Sequence, residues 1–134
     1  MKKLGYLVLV LSVALLTGCK PSDDQMLRVG KDALSQALKD PSSAQFRSMH
    51  FVPDPNQSDS VASGFVCGEL NGKNSFGAYV GFKRVYIHVE GEPRWVIPLL
   101  GVVYSSSEPF TVDEGDQMQT TLDKLKMYAA RCEK

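Results

Sequence analysis

Apolar side chains recur every three or four residues in two stretches of the chain, the spacing of one face of an α-helix. The first follows Ser22-Asp23-Asp24-Gln25, whose S-x-x-Q form is typical of a capping box at a helix start. We expect an amphipathic helix over residues 22–39, stopped by Pro41 because a residue before proline is pushed out of the helical region. The second stretch predicts a C-terminal helix, with a possible capping box at 111–114. The two stripes are Met26, Leu27, Gly30, Ala33, Leu34, Ala37 and Leu38, and Met118, Leu122, Leu125, Tyr128, Ala129 and Cys132.

Between the helices the pattern changes to an alternation of apolar and polar positions, which is typical of β-strands. A short strand is expected over 47–52, then a solvated loop at 53–60 that is rich in turn formers. The strand that begins at Val61 carries Phe65 and Cys67 on its mostly buried face. Asn71-Gly72 predicts a hairpin turn, because both residues tolerate positive φ. The return strand is expected over 76–82.

The alternation changes phase by one residue near Lys83-Arg84, which indicates a bulge or the end of a strand. Residues 90–93, Glu-Gly-Glu-Pro, predict the next turn, and further strand is expected over 95–100 and 102–104. The predicted fold class is therefore α+β: a small antiparallel sheet flanked by an N-terminal and a C-terminal helix. A length of 134 residues allows one domain.

The N-terminus has the features of a targeting signal. Lys2 and Lys3 precede an apolar run of about 13 residues, too short for a comfortable transmembrane helix. The run ends in Leu16-Thr17-Gly18-Cys19, which resembles the lipobox of bacterial lipoproteins. The resemblance implies removal of residues 1–18 and acylation of Cys19, with residues 19–21 as a lipidated tether and 22–134 as one periplasmic domain. Lys20 after the cysteine implies sorting to the outer membrane; the alternative is an ordinary signal peptide with a chance cysteine.

The remaining cysteines, Cys67 and Cys132, form an even pair in a compartment that is oxidising. A disulfide between them is the favoured interpretation, and the position of Cys132 on the apolar stripe of the last helix supports it. Two free thiols or a metal pair are the alternatives. Neither histidine, His50 or His88, has the spacing of a metal ligand relative to a cysteine, so no metal is predicted.

Charge argues against a nucleic-acid partner. The formal net charge is zero, and loss of Lys2 and Lys3 leaves 13 basic against 15 acidic residues. Binding to phosphates requires a basic patch, which this balance does not favour. The expected partners are the membrane, through the lipid anchor, and another envelope protein.

Two segments also resemble small, mostly uncharacterised bacterial envelope and prophage-encoded proteins. They read D-P-S-S-A-x-F at 40–46 and C-G-E-L-N-G-K-N-S-F-G-A-Y-V-G-F at 67–82. The resemblance implies a small α+β domain and no particular activity.

Polar side chains crowd the predicted hairpin tip, where Asn71, Lys73, Asn74 and Ser75 have Tyr79 nearby. As a binding rim they would offer amide, ammonium and hydroxyl groups to a partner. In the simpler interpretation, Asn and Gly satisfy turn geometry while Lys73 is solvated. The same choice applies to Lys83-Arg84, either an anion site or a solvated strand end.

Catalysis has little support, because the chain contains neither a G-x-S-x-G nucleophile elbow nor an H-E-x-x-H motif. His50 or His88 could serve as a general base, and Glu90 with Glu92 forms a pair at strand spacing. A small hydrolase is the less favoured alternative. The favoured function is non-enzymatic protein binding without a cofactor, either as an inhibitor of the phage-exclusion or toxin-immunity type or as a structural component of an envelope assembly.

The lipobox makes Cys19 the acylated residue, which metabolic labelling can test. Cells that produce the protein and are fed an alkyne analogue of palmitate should label the wild-type chain and leave Cys19→Ala unlabelled. Cys67→Ala is the matched control and should label normally. Label retained by Cys19→Ala would contradict the lipoprotein assignment.

Overall fold

The computed structural model describes residues 20–94, 101–112 and 118–133. In chain order these form α1 (Asp23–Gln36), a 3₁₀ turn (Pro41–Ser43), β1 (Gln45–Pro53), β2 (Ala62–Asn71), β3 (Lys83–Pro93), β4 (Val102–Ser106), β5 (Phe110–Thr111) and α2 (Met118–Cys132). The α+β prediction, with an antiparallel sheet between two helices, is confirmed. The predicted cleavage site and lipidated Cys19 lie outside the described residues, as do the strand expected over 95–100 and part of the second capping box.

Helix α1 begins as its sequence predicts. The Ser22 hydroxyl accepts from the backbone N–H of Gln25, and the Gln25 side chain accepts from the backbone N–H of Ser22 at 2.8 Å. This reciprocal capping satisfies two of the N–H groups that a helix start leaves unpaired. The helix ends at Gln36, earlier than expected, because the N–H of Leu38 turns to the carbonyl of Ser35 in a tighter, 3₁₀-type bond.

The strands form one antiparallel sheet in the order β1-β2-β3-β4, and β5 pairs with β3 beside β4. Strand β3 is the longest and is paired along both edges. One edge meets β2 from Lys83 to Gly91, while the other meets β5 near Val85 and β4 from Val89 onward. The two central strands therefore carry most of the backbone hydrogen bonding.

Helix α1 covers one face of the sheet. Met26 and Leu34 are fully buried against it, each contributing about 2 kcal/mol of hydrophobic stabilisation. Gly30 lies between them at a point where any Cβ would collide with the Val66 side chain, so the glycine permits the helix to approach the sheet this closely. The sheet residues buried on this face are Ala62, Val66, Leu70, Val85, Ile87 and Val89.

Helix α2 belongs to the opposite face, where Tyr128 and Cys132 are buried with Cys67 and Val112. Rings extend this second core: Tyr86 stacks on Phe110 with centroids 4.7 Å apart. Burial raises the pKa of Tyr128 above its ordinary value of 10.0, while the nearby Arg84 opposes that shift. The sheet is therefore covered on both faces, in three layers.

The predicted Cys67–Cys132 disulfide is confirmed, with the two Cα atoms 5.8 Å apart. It joins the centre of β2 to the last residue of α2. Sequence alternation placed Cys67 on a mostly buried face, and the structure buries it completely.

The expected hairpin is wrong in its turn and its return strand. Asn71 is the last residue of β2, and Leu70 pairs with Lys83, so residues 72–82 form a long connection in place of a tight turn with a strand at 76–82. The phase change near Lys83 marks the start of β3. The turn expected at 90–93 is also wrong, because these residues continue β3 and pair with β4.

Removal of the disulfide should cost a large share of the stability. It closes a loop with a sequence separation of 65, which the chain-entropy model values at roughly 4 kcal/mol. Cys67→Ser/Cys132→Ser should lower the free energy of unfolding by about this amount in urea titrations, and dithiothreitol should do the same to the wild type. A loss below about 1 kcal/mol would contradict a stabilising role for the disulfide.

Candidate functional site

The connection between β2 and β3, residues 72–82, carries four exposed large apolar side chains within seven residues, and we call it the aromatic loop. Every residue from 75 to 82 is exposed. Phe76 is 95% exposed, and Tyr79, Val80 and Phe82 are exposed by 46%, 53% and 38%. Clustered exposed apolar side chains are a common mark of an interaction site.

A turn centred on Asn74 fixes the tip of the loop. The Asn74 side-chain oxygen accepts from the N–H groups of Phe76 and Ala78 at 3.0 and 3.1 Å. Its backbone N–H donates to the Ala78 carbonyl at 2.8 Å, and Gly77 closes the turn with φ of 80°. Glycine suits that position because residues with a Cβ rarely adopt positive φ. The exposed Phe76 is thus carried by a hydrogen-bonded turn.

Asn71 holds the base of the loop. Its side-chain oxygen accepts from the N–H of Gly81 at 3.0 Å, and its amide donates to the Gln45 side chain at 3.1 Å. Asn71 is only 7% exposed, so these bonds satisfy a buried amide. It connects the two ends of the loop to the start of β1.

The 3₁₀ turn, Pro41–Ser43, supports the loop from the side of α1. The hydroxyl of buried Ser43 donates to the Asp40 carbonyl and accepts from the N–H of Lys73 at 3.0 Å. The segments 40–46 and 67–82, which carry the resemblance to envelope proteins, therefore contact each other.

The predicted binding-rim residues separate into two groups. The expectation that Asn71 lies at an exposed tip is wrong, because it is buried and bonded within the fold. Asn74 is half-buried, and its side chain builds the turn. Lys73 and Tyr79 do meet, with the Lys73 ammonium 5.5 Å from the ring centroid, while Ser75 is exposed.

Sequence reasoning missed the loop's apolar residues. Phe76, Val80 and Phe82 lie in the predicted return strand, since spacing alone does not distinguish a strand from an exposed apolar loop. The Arg47 guanidinium lies 4.4 Å from the Phe82 ring centroid and also pairs with Glu69, so it links the loop to the sheet. The signal that could have identified the loop is the number of glycines around these aromatic residues.

A cavity of about 310 Å³ lies between the loop and the segment that follows α1. We call it the lysine groove because Lys39, Lys73 and Lys83 line it. Its apolar walls come from Leu38, Val80 and the sheet residue Leu70. Gly72 lies where a Cβ would come within 2.8 Å of the Leu38 side chain, so the loop packs tightly against the helix end.

Neither histidine has the setting of a catalytic base with a nucleophile. The ring nitrogens of His50 face the backbone carbonyls of Ser48 and Cys132, at 3.1 and 3.3 Å. His88 Nε2 lies 2.8 Å from a carboxylate oxygen of Asp54, and its ring packs against Phe65. Both histidines tie segments of the fold together. Within the described residues, no cluster of three or more His, Cys, Asp or Glu side chains could hold a metal ion.

Asp40 is the carboxylate at the edge of the lysine groove. The Ser42 hydroxyl donates to it at 2.6 Å, and this bond holds the pKa of Asp40 below its ordinary value. The positive charge of Lys73 acts in the same direction. Asp40 is therefore anionic and already has hydrogen-bond partners within its own turn.

The N-terminal end of the domain lies at the other end of the sheet from the aromatic loop. A Cβ on Gly91 would lie 3.0 Å from the Pro21 ring, and the Lys20 ammonium donates to the Ser58 carbonyl at 3.2 Å. Strand β3 separates Gly91 from Lys83, a span of roughly 26 Å at the usual strand rise. In the described part of the chain, neither helix is both long and apolar enough to cross a membrane.

Comparisons with protein-family models, curated proteins and solved structures found no match to this chain.

Asn71 should be the residue on which the loop's order depends. Asn71→Ala removes both anchoring bonds, and we expect it to lower the free energy of unfolding by about 1–3 kcal/mol because each hydrogen bond contributes about 0.5–1.5 kcal/mol. The N–H groups of Gly81 and its neighbours should exchange faster with deuterium. Ser75→Ala, an exposed substitution in the same loop, is the control and should change stability by less than about 0.5 kcal/mol. Equal exchange in both variants would show that Asn71 does not anchor the loop.

Proposed function

We propose that this chain is a lipid-anchored lipoprotein of the outer membrane, facing the periplasm, that binds another envelope protein through its aromatic loop without catalysis. The observation that carries the proposal is the exposure of Phe76, at 95%, on a loop held by Asn71 and Asn74. A folded domain gains no stability from exposing such a side chain to water. A partner that covers it would gain its full burial energy.

The hydrogen bonding of the loop supports binding. A segment that is ordered before association loses less conformational entropy when it docks, so more of the contact energy appears as affinity. Phenylalanine and tyrosine are also enriched at protein interfaces. The loop lies at the end of the sheet and forms one side of the lysine groove. Its exposed side chains suit either role, an inhibitor of an envelope protein or a structural component of an envelope assembly.

The position of the loop fits an anchored protein. If Cys19 carries the lipid, the tether to Ser22 spans at most roughly 10 Å, which holds the domain close to the membrane. Pro21 and Lys20 contact one end of the sheet, and the loop extends from the other. With the sheet upright, the anchor would then leave Phe76 on the side that faces away from the lipid.

Photo-crosslinking in intact cells tests this function directly. A benzoyl-phenylalanine at position 76 should give one discrete covalent adduct after irradiation, which mass spectrometry would identify. The matched control places the same residue at position 103, because Val103 is 49% exposed on β4, where it pairs with Glu92 at the other end of β3 from Lys83 and the loop. We expect no adduct of the same mass from position 103.

Phe76→Ala should then weaken binding of the identified partner by about tenfold to a hundredfold, as truncation of a central aromatic contact does. Thermal unfolding of Phe76→Ala should match the wild type, since the ring is exposed. Absence of any adduct at position 76, or identical adducts from both positions, would overturn the proposed function.

A further inference from the structure

The lysine groove adjoins the aromatic loop and shares Val80 with its exposed apolar side chains. Its floor is apolar, because Leu70 and Val85 are buried there, and Leu38 forms one side. A volume of about 310 Å³ is at the lower end of the range of ligand pockets, which suits a few side chains better than a long acyl chain. The groove thus continues the apolar surface of the loop inward.

The charged side chains that line the groove are all cationic, and the anionic Asp40 at its edge offsets part of their charge through Lys73. Three ammonium groups, from Lys39, Lys73 and Lys83, belong to its lining, and none of the described residues in that lining is acidic. The nearby Asp40 is hydrogen-bonded to Ser42 in its own turn. This concentration of positive charge contrasts with the excess of acidic residues expected for the chain after residue 18.

We propose that the lysine groove receives a segment of the partner protein in which a carboxylate side chain lies beside a bulky apolar one. The apolar side chain would occupy the floor formed by Leu70 and Val85, while the ammonium groups of Lys39 and Lys73 bind the carboxylate. This proposal rests on the proposed function, since the loop and the groove would engage the same partner.

The surroundings favour a peptide over other anions. Three lysines around an apolar cavity give no extended basic track of the kind that nucleic acid requires. An anionic membrane surface is disfavoured because the groove lies near Lys83, at the end of β3 remote from Pro21. A carboxylate with an apolar neighbour matches both the charge and the floor of the cavity.

The first experiment uses random heptapeptides displayed on phage, panned against the full lipidated chain in detergent micelles. Enriched sequences should place Asp or Glu next to Phe, Leu, Ile or Met. A labelled synthetic peptide from that set should bind about tenfold more weakly to Lys39→Met and to Lys73→Met, because each loses a charge-assisted contact. Binding should also weaken as salt rises, since ions screen such contacts.

Methionine keeps the length of each lysine side chain, and the Lys73 backbone bond to Ser43 remains, so these variants should fold. Lys126→Met is the matched control: Lys126 is on α2, across the sheet from the groove, and lies 3.7 Å from Asp123. It should bind the peptide like the wild type. Lys73→Glu should lose binding, and a peptide with Lys in place of its carboxylate residue should restore it.

The inference would be overturned if the enriched peptides lacked acidic residues, or if Lys39→Met and Lys73→Met both bound the peptide with wild-type affinity. It would also be overturned if the protein bound anionic vesicles and no peptide was enriched. The adduct at position 76 separates this failure from that of the proposed function. If the adduct at position 76 forms but peptide affinity does not change in the two lysine variants, the inference about the groove is wrong. Binding of the partner through the aromatic loop would still be supported.

Discussion

Burial of both faces of the two central strands is the constraint on which the rest of the structure depends. A sheet covered by α1 alone would expose Cys67, Phe65 and Tyr86 on its other face, and α2 covers that surface. Only Tyr128 and Cys132 of α2 are buried, so the hydrophobic contact between α2 and the sheet is small. The disulfide compensates, since it fixes the end of the helix to the centre of β2 without requiring a larger core.

The same burial explains how a long loop can be ordered at the end of the sheet. Asn71 ends β2 inside the protein, where an unpaired amide would be costly, so its hydrogen bonds to Gln45 and Gly81 are strongly favoured. Those bonds hold the loop's base against β1, and Ser43 holds it against the turn after α1. The polar residues at this end of the domain thus order the loop, while its apolar residues remain exposed.

Local patterns predicted what local interactions determine. The capping box at Ser22, the alternation through Ile87 and the disulfide are confirmed. The stripe of the C-terminal helix is confirmed only toward its end, where Tyr128 and Cys132 are buried with Leu125 packed against them. Its first members, Met118 and Leu122, are 81% and 46% exposed. The prediction of a tight hairpin turn is wrong because Asn71-Gly72 is a favourable turn sequence only by local preference. The hydrogen bonds that hold Asn71 in place come from Gln45 and Gly81, which are not its neighbours in sequence. The turn predicted at residues 90–93 is wrong for a similar reason, because Gly91 and Pro93 are also common in turns. In the structure Gly91 is part of β3, and its missing side chain lets Pro21 and the Tyr104 ring approach the strand.

The charges around the aromatic loop affect whether its exposed apolar side chains lead to self-association. An exposed Phe76 on an ordered loop could associate with the same loop on a second copy, particularly if lipid anchors concentrate the copies on one membrane. Lys73 beside Tyr79 would then bring like charges together, which opposes that contact. Arg47 beside Phe82 adds less repulsion, because its charge is paired with Glu69. Lys73 therefore disfavours self-association through the loop while the apolar side chains of the loop stay exposed.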